Sequence, residues 1–226
     1  MSYGGVNSSP LIYKDTVICP HGKENIDTTE EGRMIAVKIP ETIDFKSEQK
    51  VLPKGAELWR NETVSFTSSP IIVGDRVYQV SKVGELVCVD AKTGEILWHQ
   101  KLGNDNLHAS PLYCDGKLFV PIFGGKFYII EPGDTEGKVL HSLEFEGNLI
   151  GTPAICEGRL YLHTTKQLYC WNFSNRALAR LCSVVKRTSA NTISLRSCGL
   201  SGRGWAAGTL LWYLSLIHIS EPTRPY

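Results

Sequence analysis

Apolar and polar residues alternate in short runs along the first 171 residues, and small turn residues separate the runs. Alternation with a period of two predicts half-buried β-strands rather than helices. Four runs begin after a Ser or Thr that precedes Pro, and each contains an apolar triplet, a two-residue turn and a second apolar run, which predicts a β-hairpin. The four anchors are Ser8-Ser9-Pro10, Ser68-Ser69-Pro70, Ala109-Ser110-Pro111 and Gly151-Thr152-Pro153.

The turns of the four predicted hairpins share one position that favours an unusual backbone conformation. Asp15, Asp75, Gly116 and Gly158 occupy this position. Aspartate and glycine tolerate a positive φ better than most residues, and tight hairpin turns need such a residue. We therefore expect two-residue turns with a left-handed backbone at these four residues.

A second pair of strands follows the hairpin of the second repeat. Residues 84–90 alternate like a strand and run into the sequence Ala-Lys-Thr-Gly-Glu. We expect Asp90 to accept hydrogen bonds from the amides of this turn, Gly94 to take the left-handed position and Trp98 to begin the outer strand. Each complete repeat therefore predicts a sheet of four antiparallel strands.

The other repeats vary the second strand pair. The first repeat inserts a polar stretch from Lys38 to Lys54, which we interpret as a surface loop. The third repeat has His141 near the position of the tryptophan, and the fourth repeat stops matching after Trp171. The pattern thus covers about residues 8–171.

The spacing of the repeats indicates a β-propeller. Pro70, Pro111 and Pro153 lie 41 and 42 residues apart, which is the length of a four-stranded propeller blade. The segment from Cys88 to Trp98, which follows a Ser-Pro anchor by some twenty residues, resembles the PQQ-like (quinoprotein-type) repeat. This resemblance implies an all-β fold, a partial propeller of about four blades, followed by an irregular tail. Such families usually have seven or eight blades, so we expect the chain to be a piece of a longer protein.

The composition changes at the end of the repeats. Seven Lys or Arg residues and one acid follow Trp171, whereas 17 bases and 22 acids precede Asn172. The basic residues form no cluster and have no aromatic interleaving, so nucleic-acid binding is not predicted. The last residues, from Ser215 to Tyr226, resemble a translated sequencing adapter. We therefore expect repeats at 1–171 and a non-native or frame-shifted tail at 172–226 without a fold of its own.

Neither end of the chain predicts a membrane segment. The amino end has no basic region followed by an apolar one, so no signal peptide is predicted in this chain. The longest apolar stretch, around residues 210–219, is too short to span a bilayer. Localisation stays unknown from the residues themselves, and the resemblance implies a periplasmic or other extracytoplasmic protein.

The cysteines and histidines do not indicate a metal centre. The seven cysteines include no Cys-x-x-Cys pair, and those at equivalent repeat positions, such as Cys88 and Cys170, belong to different blades. We interpret them as small buried hydrophobes. The six histidines show no metal-binding spacing, and His99 is expected to be solvated on an outer strand.

Three further features resemble ligand sites. The polar loop at 103–108 leads into the third anchor, and inter-blade loops often bind ligands, so Asp105, Asn106 and His108 are candidate ligand residues, with turn capping as the alternative. The glycine pair at 124–125 has no following helix or Gly-Lys-Ser/Thr sequence, so it does not predict a phosphate site. Three tryptophans could stack a ligand, but packing between blades explains them: Trp59, Trp98 and Trp171.

The resemblance implies a non-catalytic scaffold or binding module, with a protein or small ligand at the inter-blade loops. Quinoprotein dehydrogenases hold PQQ over a metal ion with a catalytic Asp, and no stretch here matches that region. Asp90 matches the structural Asp of the repeat instead. No catalytic residue, metal site or cofactor is therefore predicted. Two alternatives stay open: a fragment of a PQQ- and metal-dependent alcohol or sugar dehydrogenase, and the sensor propeller of a larger regulatory protein such as a kinase.

Overall fold

The computed structural model describes residues 8–21, 33–41, 52, 54–65, 67–104, 109–172, 181–187 and 193–196. In these ranges the chain forms four antiparallel sheets, and their single helical segment is a 3-10 turn at Lys54–Ala56. This confirms the predicted all-β fold. Most of the insertion predicted as a surface loop lies outside the described residues, and the short turn marks its end.

The first three sheets each contain four strands in the order of the sequence. The first sheet comprises β1 (Leu11–Tyr13), β2 (Thr16–His21), β3 (Arg33–Lys38) and β4 (Glu57–Asn61). The second comprises β5 (Ile71–Val73), β6 (Arg76–Val80), β7 (Glu85–Asp90) and β8 (Ile96–Lys101). The third comprises β9 (Leu112–Cys114), β10 (Lys117–Pro121), β11 (Lys126–Pro132) and β12 (Gly137–Glu144).

The fourth sheet has five strands and includes part of the tail. Its strands are β13 (Ala154–Cys156), β14 (Arg159–His163), β15 (Leu168–Asn172), β16 (Leu181–Arg187) and β17 (Ile193–Arg196). The tail predicted as irregular therefore contributes two strands, because β16 pairs antiparallel with β15 and β17 pairs with β16. These strands extend the fourth sheet and form no fifth one among the described residues. The division at residue 171 stays a prediction.

The four sheets are the blades of a propeller. Strand β5 contacts β1 on one side and β9 on the other, so the first strands of these three blades lie side by side at the centre. Because each sheet keeps its sequence order, β4, β8 and β12 lie at the outside. The blade period in the sequence therefore corresponds to one sheet per repeat.

The Ser or Thr before each repeat proline joins neighbouring blades by a hydrogen bond. The Ser9 amide donates to Ser69 Oγ at 2.8 Å, and the Ser69 amide donates to Ser110 Oγ at 2.8 Å. The Ser110 amide donates to Thr152 Oγ1 at 3.3 Å. The anchor motif thus forms a directional series of contacts in which each blade's amide pairs with the next blade's hydroxyl.

The hydrophobic cores lie between blades rather than within them. One cluster joins Ile18, Met34 and Trp59 of the first blade to Val77 and Val89 of the second. A second cluster joins the second and third blades, and a third joins the third and fourth. A single blade would leave both faces exposed, so the blades stabilise one another as neighbours.

Two of the predicted tryptophans occupy equivalent places between blades. Trp59 Nε1 donates to Ala91 O at 3.1 Å, and Trp98 Nε1 donates to Gly133 O at 3.2 Å, so each ring is bound to the following blade. Both side chains are buried. In the third blade His141 is exposed and pairs with Ile129, as Trp98 pairs with Cys88. This confirms the packing interpretation and the alignment of the histidine.

Packing between the third and fourth blades uses a different set of rings. Phe145 contacts Tyr169 with ring centroids 4.6 Å apart, and it meets Trp171 edge-on at 5.5 Å. Trp171 is buried against the third blade and belongs to the same cluster as Phe119 and Phe127. The predicted packing role of Trp171 is therefore confirmed. Its ring belongs to the fourth blade and packs back onto the third, whereas Trp59 and Trp98 each pack onto the blade that follows.

The hairpin turns follow the prediction in two blades and differ in the other two. Gly116 and Gly158 have φ of 73° and 67°. In the first two hairpins the positive φ falls one residue earlier, at Lys14 (54°) and Gly74 (61°), and not at the predicted Asp15 and Asp75. The prediction is therefore wrong for these aspartates. It assumed the same turn type in all four hairpins, but the second turn residue has a positive φ only in a type I′ turn.

Candidate functional site

The propeller presents two faces with different roles. In each blade, the turn between the first and second strands and the turn between the third and fourth strands lie at one end. The turn between the second and third strands lies at the other end, together with the link to the next blade. We call these ends the hairpin face and the link face. In the second blade the hairpin face contains residues 74–75 and 91–95, and the link face contains residues 81–84 and 102–104.

The acidic residues of the repeat motif are occupied by contacts on the hairpin face. Asp90 Oδ1 accepts hydrogen bonds from the Lys92 and Thr93 amides at 2.8 and 2.9 Å, as the sequence predicts. Gly94 has the predicted left-handed backbone, with φ of 76°. Desolvation acts to raise the pKa of Asp90, but hydrogen bonds from the turn outweigh it and hold this pKa below its ordinary value.

Asp75 connects two blades on the same face. Its carboxylate pairs with Lys92 and accepts a hydrogen bond from the Tyr13 hydroxyl of the first blade. These hydrogen bonds, from Lys92 first and then Tyr13, lower the pKa of Asp75. The carboxylates of the hairpin face therefore hold turns and neighbouring blades together, which accounts for their repetition in the sequence.

Backbone contacts fix the link face. The Lys82 amide donates to Val64 O at 2.8 Å, and the Leu149 amide donates to Phe123 O at 3.1 Å. The Thr165 amide in turn donates to Asn148 O at 2.9 Å. The Leu102 amide donates to Gly84 O at 3.0 Å. The links that leave the first three blades are thus each bound to a turn between the second and third strands of a blade.

Two grooves lie at equivalent places on the link face. The first has a volume of about 320 Å³ and separates the link of the first blade from the second blade. The second has a volume of about 290 Å³ and lies where the second blade meets the third. The first groove is lined by Glu62, Thr63, Val64, Ser81, Lys82, Val83, Glu85, Val87, Ile96 and His99. The second is lined by Gly103, Asn104, Ile122, Phe123, Gly124, Lys126 and Asn148.

The candidate loop from the sequence borders the second groove. Gly103 and Asn104, at the start of this loop, line the groove. Asp105, Asn106 and His108 lie outside the described residues, so their ligand role stays a prediction. Gly103 and Asn104, the described part of the loop, therefore belong to the link face.

Neighbouring Gly125 has a structural role. Its φ is 85°, and a side chain there would collide with the backbone carbonyls of Phe145 and Gly147. The glycine is therefore required because the link of the third blade lies directly on this turn.

The other candidate residues are dispersed. His99 is exposed, as predicted, and its Nδ1 lies 3.7 Å from Glu85 Oε2. Among the described cysteines Cys88 is buried, with a thiol pKa that burial raises, whereas Cys156 is exposed and the rest are half-buried. The interpretation of the cysteines as buried hydrophobes is therefore confirmed for Cys88 and wrong for Cys156, which is exposed on the short first strand of its blade. The side chains of Cys182 and Cys198 lie outside the described part of the chain. Across the described ranges, no three His, Cys, Asp or Glu side chains are placed to hold a metal ion.

A buried polar cluster behind the first groove is absent from the sequence predictions. Gln79 is fully buried, and its side-chain amide donates to Ser68 O. Ser65 Oγ donates to the same carbonyl at 3.1 Å. Within the described part of the chain, Thr63 Oγ1, Ser68 Oγ and Gln79 Oε1 have no hydrogen-bond partner. A signal was available, since Val120 and Leu162 occupy the position of Gln79 in later blades.

The successive four-stranded sheets, packed face to face, define the class of protein as a β-propeller. Comparison with known proteins shows what its repeats are similar to. Residues 49–131 match a family described as "Outer membrane protein assembly factor BamB". Over 100 residues the chain is 30% identical to the outer membrane protein assembly factor BamB of Burkholderia pseudomallei (strain K96243). The alignment covers 44% of this chain and 25% of that protein, so the chain spans about a quarter of its curated relative. The match confirms, over these residues, the predicted resemblance to PQQ-like repeats.

Solved structures show the same fold. BamB from Moraxella catarrhalis superposes with a TM-score of 0.54 at 16% identity, over 80% of this chain and 55% of that one. A europium-containing methanol dehydrogenase gives 0.52 at 12% identity, over 83% and 41% of the two chains. The computationally designed Ika4 protein gives 0.56 at 10% identity, over 76% and 93%. At such identities the likeness establishes architecture and leaves function open.

No helix within the described residues is both long enough and apolar enough to cross a membrane.

Proposed function

We propose that this chain supplies blades of a non-catalytic, extracytoplasmic propeller that binds a protein partner through its link face. The observation that carries the proposal is the match of residues 49–131 to a family described as an outer membrane protein assembly factor. The curated relative has the same description. The partner class is therefore a protein of outer membrane protein assembly.

The use of the motif residues supports a scaffold role. Asp90 caps a turn, Trp98 packs between blades, and Ser69 and Ser110 join neighbouring blades. Each of these side chains contacts backbone of its own or an adjacent blade, so the repeated groups build the propeller. A fold of this kind positions variable loops on a rigid frame.

The link face is the better candidate for binding because its side chains differ between blades. The first groove contains Glu62 and Glu85, whereas the second contains Lys126 and two asparagines. On the hairpin face Asp75 is already bound to Lys92 and Tyr13, and Asp90 accepts a hydrogen bond from the Thr93 amide. Variation at equivalent positions gives each junction its own chemistry, which suits selective recognition.

Site-specific photo-crosslinking tests the proposed face. The chain, exported to the periplasm of a Gram-negative host by a fused signal sequence, would contain benzoylphenylalanine at Val83 on the link face. The exposed side chain of Val83 lines the first groove. We expect irradiation to give a discrete adduct that contains a component of the outer membrane protein assembly machinery, identified by mass spectrometry.

A matched position on the hairpin face provides the control. Thr135 is exposed in the turn between β11 and β12 and should give no such adduct. An equal yield from both positions, or an adduct from Thr135 alone, would contradict the assignment of the link face.

A further inference from the structure

We propose that two copies of this chain close one propeller ring, with the fourth blade of each copy packed on the first blade of the other. The described residues form four blades, and propellers of the resembling type usually have seven or eight, so two copies supply a full ring. A head-to-tail contact that closes by a twofold rotation gives two identical junctions. The inference concerns the terminal blades and does not depend on the partner proposed for the link face.

The series of hydrogen bonds between the repeat anchors has complementary ends. At the three internal junctions, the anchor amide of one blade donates to the anchor hydroxyl of the following blade. Among the described residues, the Thr152 amide of the fourth blade has no acceptor, and the Ser9 hydroxyl of the first blade accepts no such bond. Both residues are exposed. The first blade of a second copy therefore offers the group that the fourth blade needs.

The fourth blade repeats the side chains that the second blade buries against its neighbour. We call the sheet face that packs on the following blade the trailing face. In the second blade, three trailing side chains are at most 2% exposed and belong to the cluster with the third blade: Tyr78, Leu86 and Cys88. The strand register places the same residue types at the same positions of the fourth blade: Tyr161, Leu168 and Cys170. Here Leu168 is 37% exposed and the other two are half-buried, so this face has the composition of an internal junction without its cover.

The first blade has the matching leading face, which is the sheet face that packs on a preceding blade. In the second blade, three leading side chains are at most 5% exposed and pack on the first blade: Val77, Val87 and Val89. The equivalent residues of the first blade are also apolar but only half-buried: Val17, Ile35 and Val37. Ile12 on the same face is 62% exposed. Terminal repeats that stay single need a polar outer face, so two apolar ones indicate a neighbour.

An arginine on the trailing face adds a charged contact to the internal junction. Arg76 of the second blade donates to Gly133 O at 2.8 Å and to Asp134 Oδ1 at 2.6 Å, both in the third blade. Arg159 occupies the position of Arg76 in the fourth blade and is exposed. It lies beside the tyrosine two residues further on, as Arg76 does. The fourth blade therefore presents the same guanidinium group to its open side.

The first blade supplies a carboxylate at the matching position. Val37 and Ile130 are equivalent in the strand register, and Glu41 follows Val37 by four residues as Asp134 follows Ile130. Glu41 is exposed. Within the described ranges, neither Glu41 nor Arg159 forms an ion pair. A second copy would therefore place the Glu41 carboxylate where Arg159 can bind it as Arg76 binds Asp134.

The remaining charges at this junction do not oppose the contact. On the first blade they pair within the blade, and the pairs are Arg33 with Glu62, Lys38 with Asp15 and Arg60 with Glu57. On the fourth blade Glu157 lies near Arg159. Arg159 would thus lie between two acids, Glu157 of its own turn and Glu41 of the second copy. The junction has one acid in excess and no cluster of like charges.

Sedimentation velocity of the full chain tests the inference. At micromolar concentration we expect a species of twice the 25.1 kDa of one chain and nothing larger, because a closed ring leaves no terminal face free. A monomer at every concentration would overturn the inference and assign the two faces to further blades of a longer chain. A ladder of larger species would also overturn it, because an open head-to-tail array forms such a ladder.

Charge reversal tests which faces meet. Glu41→Arg and Arg159→Glu each place like charges at both junctions, and each should weaken dimerisation by about tenfold or more. An equimolar mixture of the two variants has one native pair and one reversed pair, so we expect the dimer to return. Misfolding cannot produce this recovery. Unchanged dimerisation of the single variants, or a mixture that stays monomeric, would overturn the inference.

Two leucines of nearly equal exposure test the apolar contact. Leu168→Glu on the trailing face of the fourth blade should weaken dimerisation by about tenfold or more, because it buries a charge at each junction. Leu97→Glu is the control, since Leu97 is 36% exposed on the outer strand of the second blade and should leave the dimer unchanged. Circular dichroism shows that both variants fold. An equal effect of the two substitutions would contradict the proposed junction.

Discussion

Replacing Trp98 by alanine is expected to lower the free energy of unfolding by about 3–5 kcal/mol, the usual range for removing a large buried aromatic side chain. Trp98 is 6% exposed, belongs to the cluster between the second and third blades, and donates a hydrogen bond to Gly133 O. The substitution therefore removes packing and a hydrogen bond at the same junction. Urea unfolding followed by circular dichroism measures the change.

Two further variants distinguish the loss of packing between blades from the effect of any substitution in strand β8. Leu97→Ala changes the adjacent side chain, which is 36% exposed, and should cost well under half as much. Trp98→Phe keeps an aromatic ring but loses the N–H donor and part of the volume, so an intermediate loss is expected. A loss below about 1 kcal/mol for Trp98→Ala would contradict the packing of the blades through this residue.

Replacing Gly94 by alanine should destabilise the chain by about 2–5 kcal/mol, because backbone strain and overpacking act together. Gly94 has φ of 76°, and a β-carbon there would lie 2.5 Å from the Trp59 ring of the preceding blade. Asn61 Nδ2 also donates to Gly94 O at 3.0 Å. The turn thus lies directly on the first blade and leaves no room for a methyl group.

Gly74→Ala provides a matched control for the clash. Gly74 has a similar φ of 61°, but a β-carbon there would meet no atom within 4 Å. Its substitution should cost about 1 kcal/mol, from backbone strain alone. Thermal or urea unfolding of both variants gives the difference, and equal losses would contradict the contact between the turn and Trp59.

Local signals made the blade predictable from the sequence. The Ser-Pro anchors, the alternation in β6 and β7, and the turn from Asp90 to Trp98 each depend on a few neighbouring residues. The structure confirms these features, including the hydrogen bonds to Asp90 Oδ1. The repetition strengthened the prediction, because a pattern that recurs every 41 to 42 residues predicts one sheet per repeat.

The grooves could not be predicted because they join residues distant in the sequence. Glu62 and His99 line one groove although they are separated by most of a repeat. The positive φ at Lys14 and Gly74 could not be predicted either, because aligning the four hairpins does not distinguish their turn types. The sequence pointed to the loop at 103–108. Gln79 could have been noticed as a polar residue at a position that Val120 and Leu162 occupy in later blades, whereas Thr63 is recognised only through its burial.

The tail shows a different limit of sequence analysis. Its composition and its adapter-like end predict a segment without a fold of its own. The structure pairs residues 181–187 with β15, and this pairing depends on backbone groups that any sequence supplies.

The non-catalytic role proposed for these blades is tested most directly by titrating the purified chain with PQQ and Ca²⁺. Alcohol oxidation by PQQ requires a positioned base and a metal ion that polarises the quinone. The repeated acids Asp75 and Asp90 are bound to Lys92, Tyr13 and turn amides. We predict neither a bound-quinone absorbance nor alcohol-dependent dye reduction. Stoichiometric PQQ binding that Ca²⁺ strengthens would contradict the non-catalytic assignment.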